Sequence, residues 1–527
     1  MKRITRRRVL QGALATLPLP AIAQSERERV LRFMPQIDLT FLDPHFSMTN
    51  ITRNHAGLVF DQLYGTDAAF RAHPQMAEGH TVDTSHRHWR IRLREGLWWH
   101  DGEPVLARDC VASIRRWGRR DVLGAELLAA ADELSAPDDR TIEFRLKRPF
   151  PLLPEALGKP GAFMPAMLPE RLATTDPFKQ LPEIIGSGPF RYLQAERMQG
   201  VRNVYARFDR YVPRPNGTPD RGAGPKIVHF DRVVWSTMPD QGTALAALQK
   251  GEQDWWEYAA QDLLPLIHRD RNLRADVLET EGNYLLVRFN HTQPPFNRPA
   301  MRRAILRAVN QVDFVNAVGG GEPALQVAGA GFYPPGLPDA SEAGLDAIRP
   351  PFTPAQARAA LEAAGYRGEK IVQISPGDYP NVKAASEVLA DLLKRIGINL
   401  DYVSLDWASM TQRVLKKEQP DSGGFHLHML NVPGLSVASP LVNSRLRGVA
   451  APESGWYDGP RYEELRRDWL LATEPTERRR LAEELQRECL ATVPLVPCGI
   501  TMQPSAWRSD LAGVLPGVAK FWNVRRA

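Results

Sequence analysis

The first 23 residues constrain this chain more than any other stretch. They set the compartment and the redox conditions under which everything after them folds. Met1 to Arg8 carry Lys2, Arg3, Arg6, Arg7 and Arg8 and no acid. Thr5-Arg6-Arg7-Arg8-Val9-Leu10-Gln11 reads as a twin-arginine export signal. The apolar stretch from Gly12 to Ile22 is only about half as long as a membrane span needs, and it ends in Ala21-Ile22-Ala23, an A-x-A cleavage site. Cleavage after Ala23 is expected, giving a mature periplasmic chain that starts at Gln24; a Sec signal with chance arginines is the alternative. With no cysteine near that point, a lipid anchor is not expected. A twin-arginine substrate folds before export, in a reducing cytoplasm. Cys110, Cys489 and Cys498 are therefore expected as buried free thiols rather than as a Cys489–Cys498 disulfide.

Removing 23 residues from 527 leaves 504, room for two to four domains. The formal net charge of +6 belongs to the precursor. Of 67 basic residues five lie in the signal, which leaves 62 against 61 acidic ones. Nucleic-acid binding needs a clustered basic surplus, so no nucleic-acid partner is expected. No other apolar run approaches the length of a membrane span.

Alternation with period two predicts strands at Arg29–Phe33, Trp89–Leu93 and Thr141–Leu146, the last two as a pair. Further strands are expected over Val228–Trp235 and Tyr284–Phe289, and helices over Ala107–Trp117 and Gln241–Lys250. The stretch Tyr205–Pro225 reads as an irregular surface loop. Met301, Ile305, Ala308, Val309, Val312 and Val315 form the stripe of one amphipathic helix. Thr353-Pro354-Ala355-Gln356 is a capping box, and the helix it starts stops at Gly365. Ile371–Ser375, a helix over Val382–Ile396 and Ile398–Leu405 form a strand–helix–strand unit, hence a parallel pair. Two helices, Arg461–Ala472 and Pro475–Leu490, follow.

Catalytic motifs are missing: no G-x-S-x-G elbow, no Walker loop, no H-E-x-x-H and no G-x-G-x-x-G between a strand and a helix. His86 with His88 and His426 with His428 are i, i+2 pairs without carboxylate or cysteine companions at metal spacing, so neither a metal nor a cofactor is expected. Tryptophans are spread along the chain. Most are expected in the core, and a minority lining a cleft would suit a binder of amphipathic solutes.

Taken in order, these segments resemble the extracytoplasmic solute-binding proteins of the peptide/nickel type, family 5, which feed ABC importers. Leu42-Asp43-Pro44 is similar to the family's early "LDP" element. Leu97-Trp98-Trp99-His100-Asp101-Gly102-Glu103-Pro104 and Ala107-Arg108-Asp109-Cys110-Val111-Ala112-Ser113 resemble its "gv.fhDG.p.tA.DV..S" block. Gly186-Ser187-Gly188-Pro189-Phe190 resembles its "GTGPY" turn. Phe289-Asn290, Pro295-Phe296, Arg302-Arg303-Ala304 and Ala308-Val309-Asn310 resemble its "fN…pPf.d..vR.A…Aid" element, and Phe521-Trp522-Asn523 also fits.

The resemblance implies an α/β, two-lobed periplasmic binding protein fold (type II, cluster C-like) with an extra domain inserted in lobe one. Carried over, residues 1–23 are the signal, 24–65, 186–287 and 492–527 lobe one, 66–185 the inserted domain and 288–491 lobe two, with hinge crossings near Arg288 and Ala491. It implies a monomeric receptor, not an enzyme, for a small-molecule or oligopeptide-like solute, delivered to an inner-membrane ABC permease after passage through the twin-arginine machinery. A secreted hydrolase or redox enzyme, and a nickel or metal-chelate receptor using His426 and His428, are the alternatives. The quoted motif residues themselves are expected to hold turns rather than ligand.

One departure bears on the solute. Peptide-binding members carry a Trp and an acid in the lobe-two segment before a "DP" turn, where the acid pairs with an α-ammonium. Here Phe425-His426-Leu427-His428-Met429-Leu430-Asn431-Val432-Pro433-Gly434-Leu435-Ser436 has neither. A neutral, N-blocked or anionic solute is therefore expected, because an unpaired buried cation costs several kcal/mol. The expected contacts are Met429 and Asn431 from lobe two, Met48 and Asn50 from the loop after Pro44, and Trp407 and Trp522 as apolar walls.

Overall fold

In a computed structural model, which describes residues 29–527, the chain opens on strand β1 (Val30–Met34) and helix α1 (Asn50–Val59). The export segment and its cleavage point lie outside the described residues. A ribbon of β2 (Tyr64–Thr66) and β3 (Ala72–Pro74) leads into β4 (Ala77–Val82), β5 (His88–Leu93), β6 (Ala131–Asp138) and β7 (Thr141–Leu146), an antiparallel sheet ordered β4-β5-β7-β6. Trp89, Ile91 and Leu93 point inward from β5 while His88, Arg90 and Arg92 face water, the alternation that period-two sequence imposes. β5 pairs with β7 as expected, His88 opposite Arg145 and Arg92 opposite Thr141. Between β5 and β6 run α2 (Ala107–Gly118) and α3 (Val122–Ala130), which pack on this sheet.

The chain returns beside β1 through β8 (Phe190–Tyr192), β9 (Arg202–Arg207), β10 (Arg232–Ser236), β11 (Trp255–Trp256) and β12 (Leu273–Val277). Tyr205 to Arg207 thus belong to a strand, and the irregular loop starts only after them. A second sheet then forms from β13 (Asn283–Phe289), β14 (Gln326–Val327), β15 (Lys370–Pro376), β16 (Asn399–Leu405), β17 (Leu427–Pro433) and β18 (Leu495–Thr501), ordered β14-β18-β13-β17-β15-β16. Its covering helices include α4 (Pro299–Ala308), α5 (Pro380–Arg395), α6 (Trp407–Arg413), α7 (Pro460–Leu471) and α8 (Pro475–Thr492). β15, α5 and β16 are the expected strand–helix–strand unit, with β15 and β16 in parallel register from Lys370 opposite Asn399. β19 (Pro504–Arg508) closes the first sheet, ordered β12-β19-β11-β1-β10-β9-β8.

Two expectations need correction. The chain passes between the two sheets at residues 278–282 and 502–503, not near Arg288 and Ala491: Arg288 is inside β13 and Ala491 inside α8, so both sit well within the second lobe. The apolar stripe from Met301 to Val315 is also not one helix. α4 stops at Ala308, and a second helix, Gln311–Gly319, starts where the Asn310 side chain accepts a hydrogen bond from the Val312 N–H at 3.3 Å. A side-chain cap won over an unbroken hydrophobic period.

Each lobe has its own core. Leu31, Phe33, Val233, Trp235, Trp255 and Phe521 fill the first, with the Phe33 ring edge-on to Trp255 and Phe521 at 5.3 and 4.9 Å. Leu285, Val287, Phe289, Met301, Ile305 and Leu389 fill the second. The motif residues fasten elements together. His100 donates from its backbone N–H to the Gly186 carbonyl and from Nε2 to the Gly188 carbonyl, both at 2.9 Å. A Cβ at Gly186 would sit 2.0 Å from the Val59 carbonyl oxygen, and one at Gly188 2.6 Å from that of Leu58, so only glycine lets this turn press on the end of α1. Asp43 pairs with Arg116 of α2 at 2.9 Å, both fully buried. Arg302 binds the Thr492 and Val493 carbonyls at the end of α8.

Candidate functional site

α1 is almost wholly enclosed, although Thr52, Arg53, Asn54 and His55 are polar. Buried polar groups require partners, and these partners mark the site. Arg53 donates to both carboxylate oxygens of Glu279, at 3.1 and 3.0 Å, and Tyr258 donates to the same carboxylate at 3.0 Å. Asn54 donates to Glu257, which also accepts the Gln36 N–H at 2.9 Å. Glu279 and Glu281 lie in the first crossing between the sheets, and Glu281 pairs with Arg221. Lys226 pairs with Asp61.

Trp522 stands at the centre of these pairs. The amide groups of Asn523 exchange hydrogen bonds with Pro225 and Ile227, which brings Lys226 against the indole. Lys226 and Lys520 lie 4.8 and 5.2 Å from the ring centroid, and the ring edge meets α1 where Gly57 leaves room for it. Trp522 is 2 % exposed, and its Nε1–H has no hydrogen-bond partner.

Three of the four cations here are matched: Arg53 by Glu279, Arg221 by Glu281 and Lys226 by Asp61. Lys520 has neither an ion pair nor a hydrogen bond among the described residues. Burial, followed by repulsion from Lys226, Arg53 and Arg221, pulls its ammonium down to about 7, with Glu279 opposing. Burial, with Glu279 as a like-charged neighbour, pushes Glu257 up to about 7 against the Gln36 and Asn54 hydrogen bonds. The site thus sets a part-exposed ammonium without an ion pair next to a ring whose buried indole N–H has no hydrogen-bond partner, inside a frame of compensated charges.

The second lobe reaches this frame through the end of β17. The Gly434 N–H donates to the Gly282 carbonyl at 2.7 Å, and a Cβ on Gly434 would overlap the Glu281 carbonyl at 2.1 Å. Asn431, three residues earlier, has a buried Oδ1 with no partner. Of the expected contacts, Trp522 and Asn431 therefore present unsatisfied polar atoms beside the first crossing. Asn50 opens α1 and Met48 lies just before it, 66 % exposed. Met429 is fully buried with Leu427 in the second lobe's core; Asn431 lies on the same face of β17, opposite Leu285 and closer to the crossing, and is only partly buried. Trp407 starts α6 at the C-terminal end of β16, the sheet's outermost strand, 41 % exposed and edge-on to Tyr379 at 5.1 Å. Arg53, Arg221, Lys226, Glu279, Glu281 and Lys520 were not anticipated. Only Lys520, adjoining Phe521-Trp522-Asn523, stood near a recognisable motif.

The histidine pairs are occupied otherwise. His426 Nδ1 accepts the Val372 N–H at 2.9 Å and its Nε2 donates to the Pro294 carbonyl at 3.1 Å, which ties β17 to its neighbours. His88 bonds Glu143 at 3.0 Å. Burial lowers His426 to about 4 and His428 to about 3, so both are neutral. Among the described residues no three His, Cys, Asp or Glu side chains cluster as a metal site. Cys110, Cys489 and Cys498 are buried free thiols, as expected. No described helix is long and apolar enough to cross a membrane.

Comparison with known proteins agrees with this architecture. The family model "Bacterial extracellular solute-binding proteins, family 5 Middle" matches residues 71–434. The probable peptide ABC transporter periplasmic-binding protein y4tO of Sinorhizobium fredii (strain NBRC 101917 / NGR234) is 34% identical over 537 residues, covering 99% of this chain and 100% of that protein. The glutathione-binding protein GsiB of Escherichia coli (strain K12) is 24% identical over 489 residues, 90% of each chain. Among solved structures, the binding protein AgaA in complex with agropinic acid, from A. tumefaciens R10, superposes with a TM-score of 0.77 at 19% identity, covering 94% of this chain and 99% of that one. The chain belongs to the family 5 bacterial extracellular solute-binding proteins.

Proposed function

We propose that this solute-binding protein serves an ABC importer as the periplasmic receptor for a small organic anion that lacks a free α-ammonium group. The observation that carries this reading is the unmatched Lys520 ammonium beside the unsatisfied Trp522 Nε1–H. A partly desolvated cation without a counter-charge is unfavourable, and a ligand carboxylate removes that cost. Glu279 and Glu281 are engaged by Arg53 and Arg221, so an incoming α-ammonium meets no uncommitted carboxylate there. AgaA, whose structure holds agropinic acid, is a relative in fold that takes an organic acid. In this reading Asn431 contributes its Oδ1 from the second lobe, Met48 and Asn50 form the rim, and Trp407 is an outer apolar wall. Contact with both lobes favours the closed state, which presents a joined surface to the permease. Capture proceeds without turnover, metal or cofactor, by a monomer released after Ala23.

Titration calorimetry on the mature chain tests this with the same di- and tripeptides offered free and N-acetylated. The blocked, anionic forms should bind and the free-amine forms should bind poorly. Micromolar binding by several unmodified peptides would overturn the proposal.

A further inference from the structure

The charged frame around Trp522 occupies only one end of the space between the lobes. Beyond it lies a separate cavity of about 350 Å³ between the inserted domain and the second lobe, walled by Phe70, Leu152, Leu435, Leu441, Val442 and Trp469. Four charged residues on its wall are already committed, while Glu155, its carboxyl raised by burial, and Arg479 line it without an ion pair among the described residues. Arg71 pairs with Asp67 at 2.9 Å, Lys159 with Asp121, Asp339 accepts the Trp469 Nε1–H at 2.9 Å, and Arg478 donates to the Ala472 carbonyl at 2.8 Å. Most of what remains to meet a guest is hydrocarbon, and a largely apolar chamber favours apolar occupants.

This chamber begins where the charged frame ends. Phe70 lies under the Arg221 guanidinium, 5.3 Å from the ring centroid, and Arg221 is the partner of Glu281 in the first crossing. Leu435 directly follows Gly434, whose N–H is bonded to that same crossing. One molecule can therefore address both: a carboxylate at Lys520 and Trp522, a polar link near the unsatisfied Asn431 oxygen, and an apolar body in the chamber.

We propose that the solute is an amphiphilic carboxylate of the N-acyl amino acid class, with its acyl chain seated between the inserted domain and the second lobe. The inference rests on the anion reading above and adds the substrate class. An amide N–H satisfies the Asn431 acceptor without introducing an ammonium, and the chain fills a cavity whose walls come from both sides of the cleft, so occupancy itself favours closure.

The test is calorimetry on the mature chain with N-acetylglycine, N-hexanoylglycine and N-decanoylglycine. The dissociation constant should fall by about threefold to fourfold per added methylene until the chamber is full. Val442→Trp, and independently Leu441→Phe, should collapse the ratio between the decanoyl and acetyl affinities. Lys520→Met should weaken all three alike and preserve their ratio. If N-acetylglycine binds but longer chains bind no tighter, or if the chain-length gradient survives both filled variants, this inference is wrong and the anion reading stands. If no member binds the folded wild-type chain, the anion reading fails and this inference falls with it.

Discussion

Lys520 concentrates the functional argument into one side chain. Its ammonium is suppressed to about 7 by burial and by three neighbouring cations, so the empty protein pays for keeping it. Lys520→Met should therefore raise the stability of the unliganded protein by about 1 kcal/mol while weakening anion binding, as read by thermal melting and calorimetry. The sign with pH follows. Between about pH 7 and the ordinary lysine range the unfolded chain holds a proton that the native chain has released, so wild-type stability should climb relative to Lys520→Met as pH rises through that window. Ligand affinity should move the other way, falling above pH 7 as the ammonium deprotonates. Trp522→Phe removes the N–H together with part of the ring packed on Gly57; it should weaken the anion by about 1–3 kcal/mol and also lower the melting temperature. At this scale the sequence was only partly legible. Trp522 and Asn431 enter the proposed site through motif position. Met429 and Asn431 share one face of β17, so alternation alone does not separate the fully buried Met429 from the part-exposed Asn431, and a lone lysine near a terminus, such as Lys520, has no pattern that separates it from a solvated one.

Elements were more legible than residues, and the exceptions share a cause. Strands such as β5 and β7, and the unit β15–α5–β16, were readable because their periods are set by burial on one face. α1 was not, because its polar residues Arg53, Asn54 and His55 are buried along with its apolar ones. Its placement depends on glycines of a distant turn, which no local pattern reports. Contacts between elements also set how the cleft is bounded. Glu126 of α3 receives Arg466 of α7 at 2.9 Å, with Arg447 and Arg148 near it, which joins the inserted domain to the second lobe. Burial alone would raise the Glu126 carboxyl; Arg466, Arg447 and Arg148 outweigh it and hold it below the usual range. Its stabilisation is thus complete above the unfolded carboxyl range and is lost as pH falls through the folded value. Arg466 is nearly fully buried, so Glu126→Gln leaves its guanidinium with only the Pro440 carbonyl at 2.8 Å and the Glu463 carboxylate at 3.9 Å. A loss of about 3–5 kcal/mol by chemical denaturation is expected, together with weaker solute binding, because the two walls of the apolar chamber are no longer held together. A variant as stable as wild type would mean the pair is solvated in the folded protein.

For the molecule as a whole, export and folding are one problem. Three cysteines end as separate buried thiols, their ionisation pushed up by burial, in a protein read as bound for an oxidising compartment. Folding in the cytoplasm before export encloses them in reduced form, whereas threading an unfolded chain outward would expose all three to oxidation during folding. The twin-arginine reading of Arg6 and Arg7 supplies that order of events. Arg6→Lys with Arg7→Lys keeps the charge but removes the paired guanidiniums that the export receptor reads. The double variant should leave a full-length precursor in the cytoplasm, folded and able to bind the anion, with all three thiols unreactive until denaturant is added. Cell fractionation with thiol labelling separates the outcomes: mature protein starting at Gln24 in undiminished periplasmic amount would assign export to Sec, and the reduced cysteines would then owe their state to fast burial after translocation rather than to folding before it.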